Sequence, residues 1–266
     1  PSGFTIRLTS SPKVIDVLND AGIDVCVFAN NHVHDADLAG LVETLRSLDG
    51  AGITVVGASL EGDPLEPRSV TAGTAEVRLL GTTTFVNRRL KGAHNVARTS
   101  FDSLDDELCP RIRRIREETP GVIIVVSLHW GPENKRDPVA KQQKVARRLI
   151  RAGADVIMGH HPHVVHPVEV YQGGVIFYSL GNLLFDQRGR HQRRSVVAHV
   201  VWERASASSR WVMSAVKLHP ILRPRDMSNL MLATGEEART TLEGVRRRSR
   251  GNYGTSFQWV DDVLLW

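Results

Sequence analysis

GADVIMGHHPHVVHPVE, residues 153–169, decides how this chain is read. Asp155-Val156-Ile157-Met158 reads as a buried strand that breaks at Gly159. His160, His161 and His163 then fall within four positions, and His166 follows. Neutral imidazole nitrogens at this density suit a borderline divalent metal. On an extended loop, residues two apart point the same way, so His161 and His163 are expected to converge. Metal and catalytic groups gather on loops at strand ends, which favours a site over a decorated turn.

Working outward, two more polar clusters follow apolar strands. Ile23–Ala29 runs into Asn30-Asn31-His32-Val33-His34-Asp35. Gly121–Leu128, which contains VIIVVSL without a charge, runs into His129-Trp130-Gly131. A continuous apolar run implies burial on both faces. In α/β sheets the carboxyl ends of strands are where ligands bind. Three such clusters predict one convergent site.

The rest of the chain supplies the frame. Phe4–Leu8 is a strand candidate, and Ser11-Pro12 reads as a helix start that Gly22 ends. Leu38, Leu41, Val42, Leu45 and Leu48 share one face of a helix closed by Gly50 and Gly52. Ile53–Val56 follows as a strand, so Ile23–Val56 predicts a parallel crossover. Residues 61–68 read as a loop, 75–82 as a strand and 87–103 as a long irregular loop. Pro110–Glu118 reads as a short Arg-rich helix. Asp137-Pro138 opens a helix through Arg151 with Val145, Leu149 and Ile150 inward. Val168–Tyr171 and Val175–Ser179 pair around Gly173-Gly174, and strands are expected near 196–202 and 211–218. After Pro220 the pattern becomes irregular. One helix then carries Ala238, Leu242 and Val245 and ends at Arg246–Arg248. The expected organisation is a domain over residues 1–222 and an extension over 223–266.

Composition narrows the function classes. Lys plus Arg exceeds Asp plus Glu by 5, which favours anionic partners. No interleaved basic and aromatic surface is visible, which argues against nucleic acid. Cys26 and Cys109 support neither a disulfide framework nor a cysteine zinc site. No apolar run reaches the length of about 18 residues that a transmembrane helix needs.

ANNHVHD, SLHWG, GADVIMGHHPH and YSLGN stand in the order and spacing of the CapA-type poly-γ-glutamate capsule biosynthesis proteins. The chain resembles that family, part of the calcineurin-like metallophosphoesterase superfamily, over roughly residues 4–203. The resemblance implies a four-layer αββα sandwich with two divalent metals (Mn, Fe, Zn or Mg) at the strand ends. It makes Asn31, His129, His161 and His163 metal ligands, with His160 a further ligand or its neighbour. It makes His32 the acid or charge-stabilising group. Asp35 is the nearest carboxylate to hold the His32 tautomer; the alternative is a helix cap, for which Asp37 competes.

Asn182 of the YSLGN motif either bonds the site or forms a turn. Arg188 and Arg190, with Arg193 and Arg194, either grip a polyanion or form a solvated loop. Trp130 either walls the site or packs in the core, and Glu133 is a candidate neighbour of the metals. Two functions follow: a metal-dependent hydrolase of a phosphoester or γ-glutamyl polymer, or a non-catalytic polymer-binding subunit of a capsule synthesis and export assembly. The family also implies membrane-associated or extracytoplasmic placement.

One departure matters. The family's Gly-Asp and Asn-Leu-Glu motifs do not precede Asn30, and Gly62-Asp63 comes after it. The expectation is a domain lacking its first strand or strands and exposing a sheet edge. Such a chain would hold at most one metal tightly and hydrolyse phosphoesters weakly.

Overall fold

The computed structural model describes residues 7–88, 90, 95–206, 209–226 and 229–266. The chain forms two compact units. One comprises residues 1–104 with 127–129, and the other 105–126 with 130–266.

The first unit opens with α1, Val14–Asp20, which buries none of its residues. Its N-cap is Lys13, so Ser11-Pro12 lies in the preceding turn instead of the first helical turn. The Phe4–Leu8 candidate lies largely outside the described residues, and Arg7 and Leu8 carry no strand. Next come β1, Val25–Val27, α2, Asp37–Gly50, and β2, Thr54–Val56. β1 and β2 pair in parallel, with Cys26 opposite Val55, so the segment is a parallel crossover. Leu41, Leu45 and Leu48 bury one stripe of α2, but Leu38 at its first turn stays 44% exposed. Leu41 and Leu45 form a small core with Val33 and Ala58.

β3, Arg68–Ala72, then pairs antiparallel with β4, Ala75–Thr83, around a tight turn. β3 begins at Arg68, where the expected loop ends, and covers residues for which the sequence predicts no element. Close backbone approach fixes one glycine here: a Cβ on Gly57, whose φ is +80°, would lie 2.6 Å from the Ala29 methyl.

The second unit takes up the chain at Asp105, within α3, Leu104–Glu118. The helix begins six residues before Pro110, because Leu104, Leu108, Ile112 and Ile115 make a buried stripe while Pro110 is exposed. β5, Ile123–His129, is nearly all buried, and its last three residues belong to the first unit. α4, Ala140–Ala152, buries Val145, Leu149 and Ile150, and Gln142 accepts the Val139 N–H at 3.0 Å.

β6, Val156–His160, runs through Gly159 without breaking. The glycine is there for packing: a Cβ would meet the Tyr178 carbonyl oxygen at 2.2 Å and the Trp130 indole nitrogen at 2.6 Å. β7, Val168–Tyr171, and β8, Gly174–Phe177, form a hairpin, and β8 pairs parallel with β6. The hairpin turn is Gln172-Gly173, both at positive φ, and Gly174 is already in the strand. That is the pattern of a tight two-residue hairpin loop. Ser249 and Thr255 accept the outward N–H groups of Val168 and Val170, which closes this strand edge to other chains.

β9, Arg194–Glu203, and β10, Val212–Leu222, form a long antiparallel pair that includes Pro220. β11, Met231–Leu232, and β13, Val263–Leu265, also pair with β10, and β12, Gln258–Val260, pairs with β13. α5, Gly235–Tyr253, continues past Arg246–Arg248 to a left-handed Gly254. Residues 223–266 therefore carry three strands, β11, β12 and β13, as well as a helix. Leu242, Val245 and Leu264 sit in one core with Val156, Phe177 and Val216.

Candidate metal centre

The polar residues after β1 and β5 make one cluster in the first unit. Asn30 folds back to accept the His32 N–H at 2.8 Å, which turns the chain sharply off the strand. Asn31 donates from its amide to the Asn87 side-chain oxygen at 3.1 Å. That aims the Asn31 oxygen at His129, whose Nε2 lies 2.8 Å away. Ligand atoms bound at about 2.1 Å and at right angles sit roughly 3 Å apart, so this pair has the spacing of two ligands on one ion.

His32 Nδ1 lies 2.7 Å from Asp35 Oδ2, and the Leu8 N–H donates to the same oxygen at 2.7 Å. The Asn87 amide approaches His32 Nε2 at 3.4 Å. An imidazole between a carboxylate and an amide N–H carries its proton on Nδ1. Asp35 is 3% exposed and does not cap α2, whose N-cap Ala36 has no side-chain bond. Asp37 stands at φ +59° and pairs with Arg88.

The second cluster lies in the second unit, on the loop after β6. The expected extended geometry is absent, since His161 and His163 have φ of +96° and +62°. Their donor atoms nevertheless gather with Glu133, all within 4.8 Å of one another. Glu133 Oε1 lies 3.9 Å from His161 Nε2. One carboxylate and two imidazoles are a donor set suited to a divalent metal, and the spread is within a side-chain adjustment of about 2.1 Å bonds. His163 Nδ1 is bonded to Asn182 Oδ1 at 2.7 Å, which fixes the ring and leaves Nε2 for a ligand. Phe185 packs on the same ring, with centroids 5.1 Å apart.

His160 ends β6. Burial, and then the neighbouring His161, push its pKa down to about 4, so it is a neutral imidazole near pH 7. His166 is fully buried, faces the Lys135 carbonyl at 2.8 Å, and is pushed down to about 4 mainly by burial. It is a core histidine. Trp130 is also core, wholly buried and stacked on Tyr178. Asp63 accepts the Leu65 N–H at 2.9 Å within a turn.

The bacterial capsule synthesis protein PGA_cap family model matches residues 1–187. The chain belongs to this family. It is 32% identical to the PGA biosynthesis protein CapA of Bacillus subtilis, over 80% of this chain and 56% of that protein. It is 33% identical to the capsule biosynthesis protein CapA of Bacillus anthracis, over 68% and 45%. A probable polyglutamine synthesis accessory protein of Mycobacterium tuberculosis is 31% identical over 67% and 49%. The chain thus spans about half the length of the curated relatives it matches.

Among solved structures, a putative 5'-nucleotidase from Staphylococcus aureus aligns with a TM-score of 0.53 at 18% identity, covering 83% of this chain and 42% of its own. The sulfate thiohydrolase SoxB of Thermus thermophilus aligns at 0.52 and 13%, covering 89% and 40%. At these identities the likeness shows the fold, which is α/β and metallophosphoesterase-like.

In this PGA_cap chain, Asn87 is the residue that sequence reasoning missed. It follows β4 as Asn31 follows β1, and position after a strand was the available signal. The Arg-rich loop divides. Arg193 donates to the Arg223 carbonyl at 2.7 Å and Arg194 pairs with Glu237, while Arg188 and Arg190 are exposed. Asn182 ties this loop to His163 by donating to Gln187 Oε1 at 3.1 Å and to the Gln192 carbonyl at 3.2 Å.

Proposed function

We propose that this chain carries the metal-binding module of a poly-γ-glutamate capsule biosynthesis protein, a hydrolase acting on a phosphoester or on the γ-glutamyl polymer. The Glu133, His161 and His163 cluster is the observation that carries this reading. Metal ligands are assigned to Asn31, His129, His161 and His163, with Glu133 and His160 alongside. The two clusters supply donors for up to two divalent ions, drawn from Mn, Fe, Zn or Mg. When bound, such ions polarise a phosphoryl or carbonyl oxygen and acidify a water.

The remaining roles fall to the chain's own side chains. Asp35, itself held by the Leu8 N–H, keeps the proton on His32 Nδ1 and fixes the ring's orientation. For His32 Nε2 to carry a proton to a leaving oxygen, the Asn87 amide must turn away from it. Asn87 and Asn182 orient their neighbours. Arg188 and Arg190, exposed and without an ion pair among the described residues, attract an anionic chain. None of the described helices is long and apolar enough to cross a membrane. Placement at the membrane or outside the cytoplasm, together with capsule synthesis partners, is proposed from the family alone.

The word "accessory" in the mycobacterial relative's name favours a second reading, a non-catalytic polymer-binding subunit. Elemental analysis and turnover of a p-nitrophenyl phosphoester separate the two. The hydrolase reading expects bound divalent metal and metal-dependent turnover, with both lost in His161→Ala and turnover alone lost in His32→Ala. Bound metal without turnover of phosphoester or γ-glutamyl polymer favours the subunit. Metal content that does not differ between wild type and a His161→Ala, His163→Ala double variant overturns the metal assignment.

A further inference from the structure

A small cavity in the second unit has one wall on the histidine loop, at Val164 and Val165. Arg136, His191, Arg194 and Arg248 line it together with Thr240, and its volume is about 50 Å³. A water needs roughly 10–15 Å³ by this measure, so the space holds a few water-sized groups, the bulk of one phosphate or carboxylate.

The charges around it do not balance. Asp137 pairs with Arg248 at 3.1 Å, and Glu237 pairs with Arg194. Both acids are about half exposed, and neither lines the cavity. Arg136 has no acidic partner among the described residues. Arg194 Nε is buried without a hydrogen-bond partner, although the same guanidinium reaches Glu237 and the Arg190 carbonyl. A buried guanidinium N–H left unpaired is a site looking for an acceptor. Partial burial lowers the His191 pKa, and the fields of Arg136, Arg190, Arg194 and Arg248 lower it further, which reports a positive potential at this spot. Arginine's planar fork suits oxyanions in particular.

We propose that this cavity binds one small oxyanion, a phosphate-type or carboxylate group, between α5 and the loop carrying His191. Thr240 supplies a hydroxyl at the rim, and Arg136 supplies the charge that the protein leaves uncompensated. The inference does not rest on metal binding, although the Val164 and Val165 wall of the cavity adjoins His163.

The test is calorimetric titration of the whole chain, held metal-free with a chelator, with inorganic phosphate and with glutarate. Chloride at matched ionic strength is the reference. Binding of at least one anion is expected, weakened at least fivefold in Arg136→Gln and in His191→Asn, both exposed positions. Which anion binds identifies the source: phosphate alone points to a phosphoryl group, and glutarate alone to a carboxylate. A His163→Ala variant should bind as wild type does. The proposal fails if neither anion exceeds chloride, if both charge variants bind undiminished, or if His163→Ala abolishes the binding.

Discussion

Replacing Asp155 with alanine should destabilise the second unit by about 4 kcal/mol, a magnitude that follows from its partners. Asp155 stands immediately before β6, 5% exposed. Its Oδ2 accepts Arg116 Nη2 at 2.6 Å and the Ile124 N–H at 2.8 Å, and its Oδ1 accepts Arg210 Nη2 at 2.8 Å. Losing a buried N–H bond to a carboxylate costs roughly 1.5–3 kcal/mol. Breaking a buried ion pair costs roughly 3–5 kcal/mol when the partner is stranded. Arg116 is not stranded, because it keeps the Pro120, Val122 and Gly153 carbonyls, so its share falls to roughly 1–2 kcal/mol. Arg210 is 55% exposed, and its pair contributes under about 1 kcal/mol. All five tryptophans, at 130, 202, 211, 259 and 266, lie in the second unit, so urea melts followed by tryptophan fluorescence report that unit alone. With a slope of about 3 kcal/mol/M the midpoint should fall by roughly 1–1.5 M. Arg210→Gln should move it by under about 0.3 M. An Asp155→Ala midpoint near wild type, or an Arg210→Gln loss of equal size, would refute this reasoning.

Three further outcomes are expected. Gly159→Ala should lose about 3 kcal/mol or more in the same melts, since the new methyl would press on the Tyr178 backbone and the buried Trp130; a neutral substitution would mean the strand can shift. Stability should fall as pH drops from about 6.5 towards 4. His160 and His166 stay neutral when folded, with pKa values of about 4, whereas the unfolded chain takes up those protons. Each group contributes on the order of 3 kcal/mol, gone once pH reaches the folded pKa. Urea midpoints at pH 7, 5.5 and 4.5 that stay level would count against it. Asn182→Ala should weaken metal affinity roughly 10–100-fold by freeing the His163 ring; unchanged affinity by metal titration would make Asn182 a turn residue.

The elements readable in the sequence were those with strong periodicity or none. The α2 stripe follows helical spacing, and the uninterrupted apolar run of β5 had one sensible placement. β3 was illegible because Arg68–Ala72 is mostly exposed, so no alternation marks it. The start of α3 was hidden by Pro110, which sits on the helix's exposed side and does not end it. Gly159 looked like a breaker because composition records flexibility but not the crowding that demands a glycine. At the candidate site, histidines after strands stood out through their density. Asn87 did not, being a common residue at the mouth of an irregular loop; Glu133 was a candidate through its place after His129-Trp130-Gly131, although 28 positions separate it from His161.

The left-handed backbone at His161 and His163 has a consequence for any ion that binds there. Non-glycine residues in this region are strained by about 1 kcal/mol or more each. The bends are held by the fold itself: Asn134 N–H to the Pro162 carbonyl, Trp130 N–H to the His160 carbonyl, and His166 N–H to the Ser179 carbonyl. An arriving metal therefore has no loop to order, unlike a zinc finger that folds only around its ion. Stripping with a chelator should leave the loop standing, and reloading should be limited by diffusion and ligand exchange, with no slow refolding phase.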